Sequence, residues 1–322
     1  MKKVQLLKRR DFGSILNDTF AFLSENMKRY SKAFLYVVMP PLLVLMVVMT
    51  FLFNELGVAM TSLQHMHGFD FQSLSSFFSV YAVMIVLWSV VYLLQSLLIY
   101  EYLLLYEAQD ESNEITTEAL WAAMKADLMQ MVGSYLGLIA LIVLFFAINV
   151  GIVALVMTAS KVLGGFLIFA LVLAWIYLFL PISNFYMIRL RERLGILESL
   201  SRCFTLIRSN WWRTLGVLTI MGMAASALQM VVTAPLSVTD LVTTFQRIKS
   251  HSTDMSGMYT PAHSITQAIS MAVGLFVSTI VSVATAINYY SLVESTDNTS
   301  LLSEIDRIGE KPDPEYKQEG EF

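Results

Sequence analysis

Six apolar runs, at about 33–53, 77–100, 132–158, 162–188, 214–236 and 265–290, limit what this chain can fold into, because none of them contains a charged residue. A bilayer hydrocarbon core of about 30 Å is crossed by roughly 20 apolar residues of helix, and every run reaches that length. A soluble helical bundle would interrupt such runs with charges at helical spacing to make a solvated face. A transmembrane barrel would alternate polar and apolar residues with period two. Neither pattern is present. With 56% of its 322 residues hydrophobic and 14% charged, the chain has the composition of a polytopic membrane protein. The expected fold is an all-α bundle of six transmembrane helices.

The Lys and Arg residues orient the bundle. Of the 21, all but Lys161, Arg247 and Lys249 fall on the side that holds both termini. Basic loops stay in the cytoplasm, so both termini are expected there, and the net charge of −4 does not oppose this because acidic residues contribute little to the rule. Met1–Arg10 is basic but is separated from the first run by a mixed polar segment, and no small-residue cleavage site follows. The first run is therefore expected to be a retained span and not a leader. The expected organisation is a cytoplasmic N-terminus and entry helix over 1–32, a six-span membrane domain over 33–294, and a cytoplasmic tail over 295–322. Within the tail, 300–308 can form a short amphipathic helix, and disorder is expected from about 309.

A degenerate repeat runs through the chain. Phe20–Arg29, FAFLSENMKR, aligns with Phe204–Arg213, FTLIRSNWWR. Leu16, Phe20, Leu23 and Met27 share one helical face, as do Leu200, Phe204, Ile207 and Trp211, and a weaker copy holds Leu120, Met124, Leu128 and Met131. The pattern reads as three units, each a cytoplasmic amphipathic helix followed by two spans. In the third, Trp211 and Trp212 are expected at headgroup depth, with Arg202, Arg208 and Arg213 reaching phosphates or water. Lys28 and Arg29 are the matching cations of the first unit. Membrane lipids are thus the expected partners. A specific headgroup site and docking to an unidentified membrane protein are the alternatives.

Arg10–Leu16, RDFGSIL, leads into the first entry helix, Ile196–Gly216 forms a second, and Asn288-Tyr289-Tyr290 closes the last span. This order resembles six-span bacterial integral membrane proteins related to the membrane domain of glycerophosphoryl diester phosphodiesterases and to the YciC-like family, over about 10–308. The resemblance implies a bacterial inner-membrane location and an all-helical domain. It does not bring phosphodiesterase activity, because that chemistry needs a soluble barrel of some 200 or more residues, and no segment outside the runs has room for one.

The sequence offers no P-loop, His-Glu-x-x-His or Gly-x-Ser-x-Gly motif, and no cofactor, enzymatic activity or nucleic-acid partner is expected. The single Cys203 excludes an intramolecular disulfide and reads as a buried small residue. Glu101 is the exposed end of a helix or else a proton- or cation-handling carboxylate. Asn149 and Asn184 are polar positions within spans, and Asn149 and Gln229 are expected to hydrogen-bond across helices, while Gly164-Gly165 allows close packing or a tight turn. Pro40-Pro41, Pro181 and Pro235 kink or free backbone in ways that transporters and structural bundles both use. His65, His67, His251 and His263, with Asp70 and Asp254, fall in two loops expected outside. They read first as solvated residues and alternatively as a metal site. The role expected from these residues is non-enzymatic, structural or lipid-associated, with transport of a small solute or lipid as the alternative.

Overall fold

The computed structural model describes residues 3–64, 71–108, 115–250 and 261–298, and the helix and disorder expected in the tail beyond residue 299 lie outside them. Among the described residues the fold is all-α: α1 Phe12–Val37, α2 Met39–Gln64, α3 Phe71–Ala108, α4 Thr117–Ala159, α5 Lys161–Ile182, α6 Phe185–Glu192, α7 Ile196–Ile207, α8 Trp211–Ser250, α9 Pro261–Val277 and α10 Thr279–Asp297. Among the described residues five helical stretches are long and apolar enough to cross a membrane, and the α1–α2 pair, bent by 55°, is a sixth if it is counted as one broken span.

That bend has a covalent cause. Asp11 caps the start of α1 by accepting from the Ser14 amide at 2.9 Å, and the Ser14 bonds hold its carboxyl below the usual carboxylate range. The helix then runs to Val37. Pro40 and Pro41 cannot donate to Tyr36 and Val37, and their rings would meet those carbonyls in a straight helix. Placed in the first turn of α2, they lose no intrahelical bond. The ladder resumes with Leu42 N–H donating to Val38 O at 3.0 Å. The first expected span therefore straddles a break at Val38. A second discontinuity lies at Ser183-Asn184, after Pro181, and a third at Ser278 between α9 and α10. Where polar residues merely follow an apolar run, the helix continues. Thus α4 merges the expected entry helix with the third span, and α8 extends to Ser250, well past the run that ends near 236.

Packing divides the helices into two groups. α10 is the hub, touching α1, α3, α7, α8 and α9, and every residue from Val283 to Glu294 is buried. Ala284, Ala286 and Ser291 on it let neighbours approach closely, which is how helices associate in lipid without a hydrophobic driving force. By contrast, only 6% of the apolar stretch of α4 and 6% of that of α5 is buried, against 44% for α3. The α4–α5 hairpin is closed by Ser160, and Gly164 lets the two helices meet where an added Cβ would stand 2.5 Å from Met157 Cγ. Gly164 is therefore a close-packing glycine.

The packed helices are tied at one end by charge. Arg191 donates from Nη2 to Glu107 Oε1 at 2.8 Å and from Nε to Oε2 at 3.1 Å. Tyr290 donates to the same Glu107 at 2.7 Å, Tyr289 donates to Glu192 at 2.7 Å, and the Arg191 guanidinium lies 5.0 Å from the Tyr290 ring centroid. Nearer the N-terminus, Arg10 donates to Asp18 at 2.6 Å and to the carbonyl of Leu6 at 2.7 Å, while its own amide donates to Ser291 Oγ at 3.0 Å.

Breaking a paired charge leaves its partner exposed to a poor solvent, so Arg191→Gln should lower stability by about 2 kcal/mol, a value discounted because both side chains keep some solvent contact. Thermal unfolding in detergent or lipid would measure this, and Arg191→Lys should recover only part because an ammonium cannot make the two-pronged contact. Wild-type stability in both variants would remove the clamp from the account of the fold.

Candidate functional site

The Trp-Arg cluster does not act as one surface. Arg202 is held by Glu192 at 2.9 Å and by Asp297, so its guanidinium ties α7 to α6 and α10. Arg213 is half-buried, donating from Nη1 to Arg10 O at 3.1 Å, while its Nε and Nη2 have no hydrogen-bond partner. Trp211 stacks on Tyr177 with centroids 5.7 Å apart. Trp212, 78% exposed, and Arg208 point outward. Cys203 is fully buried between these groups, and burial pushes its thiol up to about 12.

Glu101 is not an exposed helix end. It is 3% exposed, lies beside Asp127, and its Oε1 has no hydrogen-bond partner. Asp127 in turn accepts from both terminal nitrogens of Arg193, one of them at 2.7 Å. Arg193 adopts a left-handed backbone, φ 55°, at the end of α6, a conformation that costs a non-glycine residue of order 1 kcal/mol. Gln130 joins this group by accepting from Arg193 at 3.0 Å and donating to Arg189 O at 2.8 Å. Sequence reasoning overlooked Asp127 and Arg193. The readable signal was Asp127 itself, a carboxylate on the stripe Leu120, Met124, Met131 and Leu138 that α4 buries.

Asn149 is satisfied within its own helix, donating to Phe145 O at 2.6 Å, which corrects the expected bond across helices. The i−4 carbonyl is within reach of a helical Asn side chain. Gln229 does meet another helix, its amide lying 2.8 Å from where a Cβ on Gly274 would stand. Asn184 is 1% exposed, and neither its Nδ2 nor its Oδ1 has a partner. His65, His67, Asp70, His251 and Asp254 lie outside the described residues, as does the side chain of His263. Among the described residues no group of three His, Cys, Asp or Glu could hold a metal.

Lys28 and Arg29 are exposed on α1, and Arg29 forms part of a concavity that the sequence did not reveal. It has a volume of about 560 Å³, with Arg29, Lys32 and Tyr36 on one wall and Thr116, Thr117 and Glu118 on the other. Arg29, Lys32 and Tyr36 are spaced three and four residues apart and so share a face of α1. Thr116 caps α4 by accepting from Ala119 N–H at 3.2 Å. The first turn of α4 therefore presents the positive end of a 43-residue helix to this space. A second concavity of about 530 Å³ shares Tyr36, Thr117 and Glu118 and continues along Pro40, Pro41, Leu94 and Trp121. Lys125 Nζ stands 5.0 Å from the Trp121 ring centroid. Together the two spaces make one groove, basic at one end and apolar at the other. A third, almost wholly apolar cleft of about 610 Å³ opens between α1–α2, α8 and α9–α10, lined by Phe34, Met39, Leu228 and Phe276 among others.

No family model, curated protein or solved structure matches the chain.

Because the thiolate is the reactive form, and Cys203 is fully buried and held largely protonated, it should label far more slowly than an exposed thiol at every pH from 7 to 9. Maleimide labelling is expected to be negligible across that range in the folded protein and complete after denaturation. Rapid labelling of the folded protein at pH 7 would place Cys203 at the surface.

Proposed function

We propose that this chain is a non-enzymatic integral membrane protein that holds phospholipid at its surface and serves in membrane organisation, within a bacterial inner membrane, as its resemblance to the YciC-like proteins implies, and with both termini cytoplasmic, as the distribution of Lys and Arg implies. One observation carries the lipid reading: the basic space at Arg29 and Lys32 adjoins the apolar space at Pro40, Pro41 and Trp121, the two sharing Tyr36, Thr117 and Glu118 as lining. A headgroup and an acyl chain have this polarity and this order. Tyr36 and Trp121, 67% and 44% exposed, stand where the two meet, and rings with one polar edge favour that depth. The outward Trp212 and Arg208 and the exposed Lys28 add contacts of the kind that favour an anionic leaflet, each cation contributing about 1 kcal/mol near the surface.

Transport is the second reading, supported by the unpartnered atoms of Glu101 and Asn184. Neither residue lines the concavities described above, so the groove favours lipid association.

The protein purified in mild detergent and analysed intact by mass spectrometry should retain at least one phospholipid per chain, and Arg29→Ala with Lys32→Ala should reduce that occupancy about tenfold. Equal occupancy in the double variant, or none in the wild type, would overturn the reading. For orientation, cysteines introduced at Ser160 and at Ser209 in a Cys203→Ala background should label from outside the cell and only after permeabilisation, respectively. The reverse pattern would invert the topology.

A further inference from the structure

The elbow between α1 and α2 borders two separate spaces. Tyr36, Val37, Pro40 and Pro41 line the groove, whereas Phe34, Leu35, Leu42 and Leu43 line the apolar cleft of about 610 Å³, and no residue lines both. Phe34, Leu42, Val277 and Ile280 give the cleft a buried floor, and Leu35, Leu43, Leu228 and Val232 an exposed rim. Apart from Ser31 every residue lining it is apolar, and none carries a charge. Leu228 and Val232 belong to Trp211–Val238, and the α9 and α10 residues to Ile265–Asp297, both long and apolar enough to cross a membrane. The cleft therefore lies at hydrocarbon depth. Water does not fill such a space, because it finds no hydrogen-bond partners there. An empty cleft forfeits dispersion contacts along its lining. What the bilayer supplies at this depth is acyl chain. A chain in the cleft touches protein on several sides, whereas one against the outward residues of α4 and α5 touches it on one. The cleft is about four times the size of an apolar cavity that takes up one benzene, which gives room for one such chain.

Beyond the groove and independent of any lipid held there, we propose that this cleft is a resident acyl-chain site, which keeps one hydrocarbon chain of a membrane phospholipid seated at the α1–α2 elbow against α8 and α9. Because no charge lines it, recognition is of the chain and not of the headgroup. Met27, Met39 and Met46 line its length, and unbranched thioether side chains adapt to a flexible occupant. The ester end of the chain lies toward Ser31 on α1, the one polar lining residue, and the methyl end toward Met46 and Ile269.

The test uses the full-length protein in vesicles of phosphatidylethanolamine and phosphatidylglycerol that contain a trace of phospholipid with a diazirine midway along one acyl chain. After irradiation, adducts are mapped by peptide mass spectrometry. Adducts at 228–232 and 269–273 are expected to exceed those on the outward residues of α4 and α5 by about tenfold. Phosphatidylcholine and phosphatidylglycerol bearing the same reactive chain should label the cleft equally. Ala272→Phe, whose ring would occupy the cleft, should reduce adducts there to the level of the outward residues. Ala272→Leu should give a smaller loss, a graded response that misfolding would not produce. Arg29→Ala with Lys32→Ala, the variant that tests the groove, should leave cleft labelling unchanged, so failure of the groove reading and failure of this one are told apart. Labelling as dense on α4 and α5 as in the cleft, cleft adducts that persist in Ala272→Phe, or labelling that follows headgroup charge would each overturn the proposal.

Discussion

Arg191 is the contact on which the packed part of the molecule depends. Its planar guanidinium meets both oxygens of Glu107 and lies over the Tyr290 ring, and Tyr290 returns a hydrogen bond to the same carboxylate. Residues from α3, α6 and α10 are thereby joined. A lysine could supply the charge but not the fork. Around this clamp further charges are paired: Arg202 with Glu192 and Asp297, Arg193 with Asp127, and Arg10 with Asp18. Helices in lipid gain nothing from hiding apolar surface against each other, so a paired polar layer at the end of the bundle is a direct means of holding them together.

The clamp also decides which surfaces remain available. Helices tied into it are buried along much of their length, while α4 and α5 leave it and present Phe146, Leu155, Phe166 and Phe179 outward. In a bilayer those side chains need no protein partner. The groove lies at the seam between the two regimes, where α1 leaves the packed core and bends into α2 and where α4 begins. Two local rules shape it: prolines that end one helix and wall the apolar space, and a threonine cap that opens another helix at the basic end. No long-range strain is needed to keep it open.

Much of this was legible in the residues. The apolar runs marked the stretches that, among the described residues, are able to cross a membrane, Pro40-Pro41 marked the break, Gly164 marked a close approach, and Cys203 was read as buried. The single entry helix expected at 196–216 resolves into α7 and the start of α8, because Arg208-Ser209-Asn210 turns between them. Other features could not be read. Arg202, Arg208 and Arg213 look equivalent along the chain, yet one is consumed by ion pairs, one faces outward and one is half-buried. Glu101 looked like a helix end because its partner Asp127 belongs to another segment. The histidine loops lie outside the described residues, and the three-unit pattern remains a statement about sequence.

The sequence by itself determined the helices and their apolarity, because helical hydrogen bonds are local and hydropathy is a property of consecutive residues. Tertiary structure alone decided which charges are spent and which are offered. Arg191 meets Glu107 across 84 positions and Arg202 meets Asp297 across 95, and nothing near either arginine in the chain announces its partner. Whether a cation closes the bundle or stays at the surface depends on that distant pairing, since an ion removed from water must find its counter-charge wherever the fold brings one.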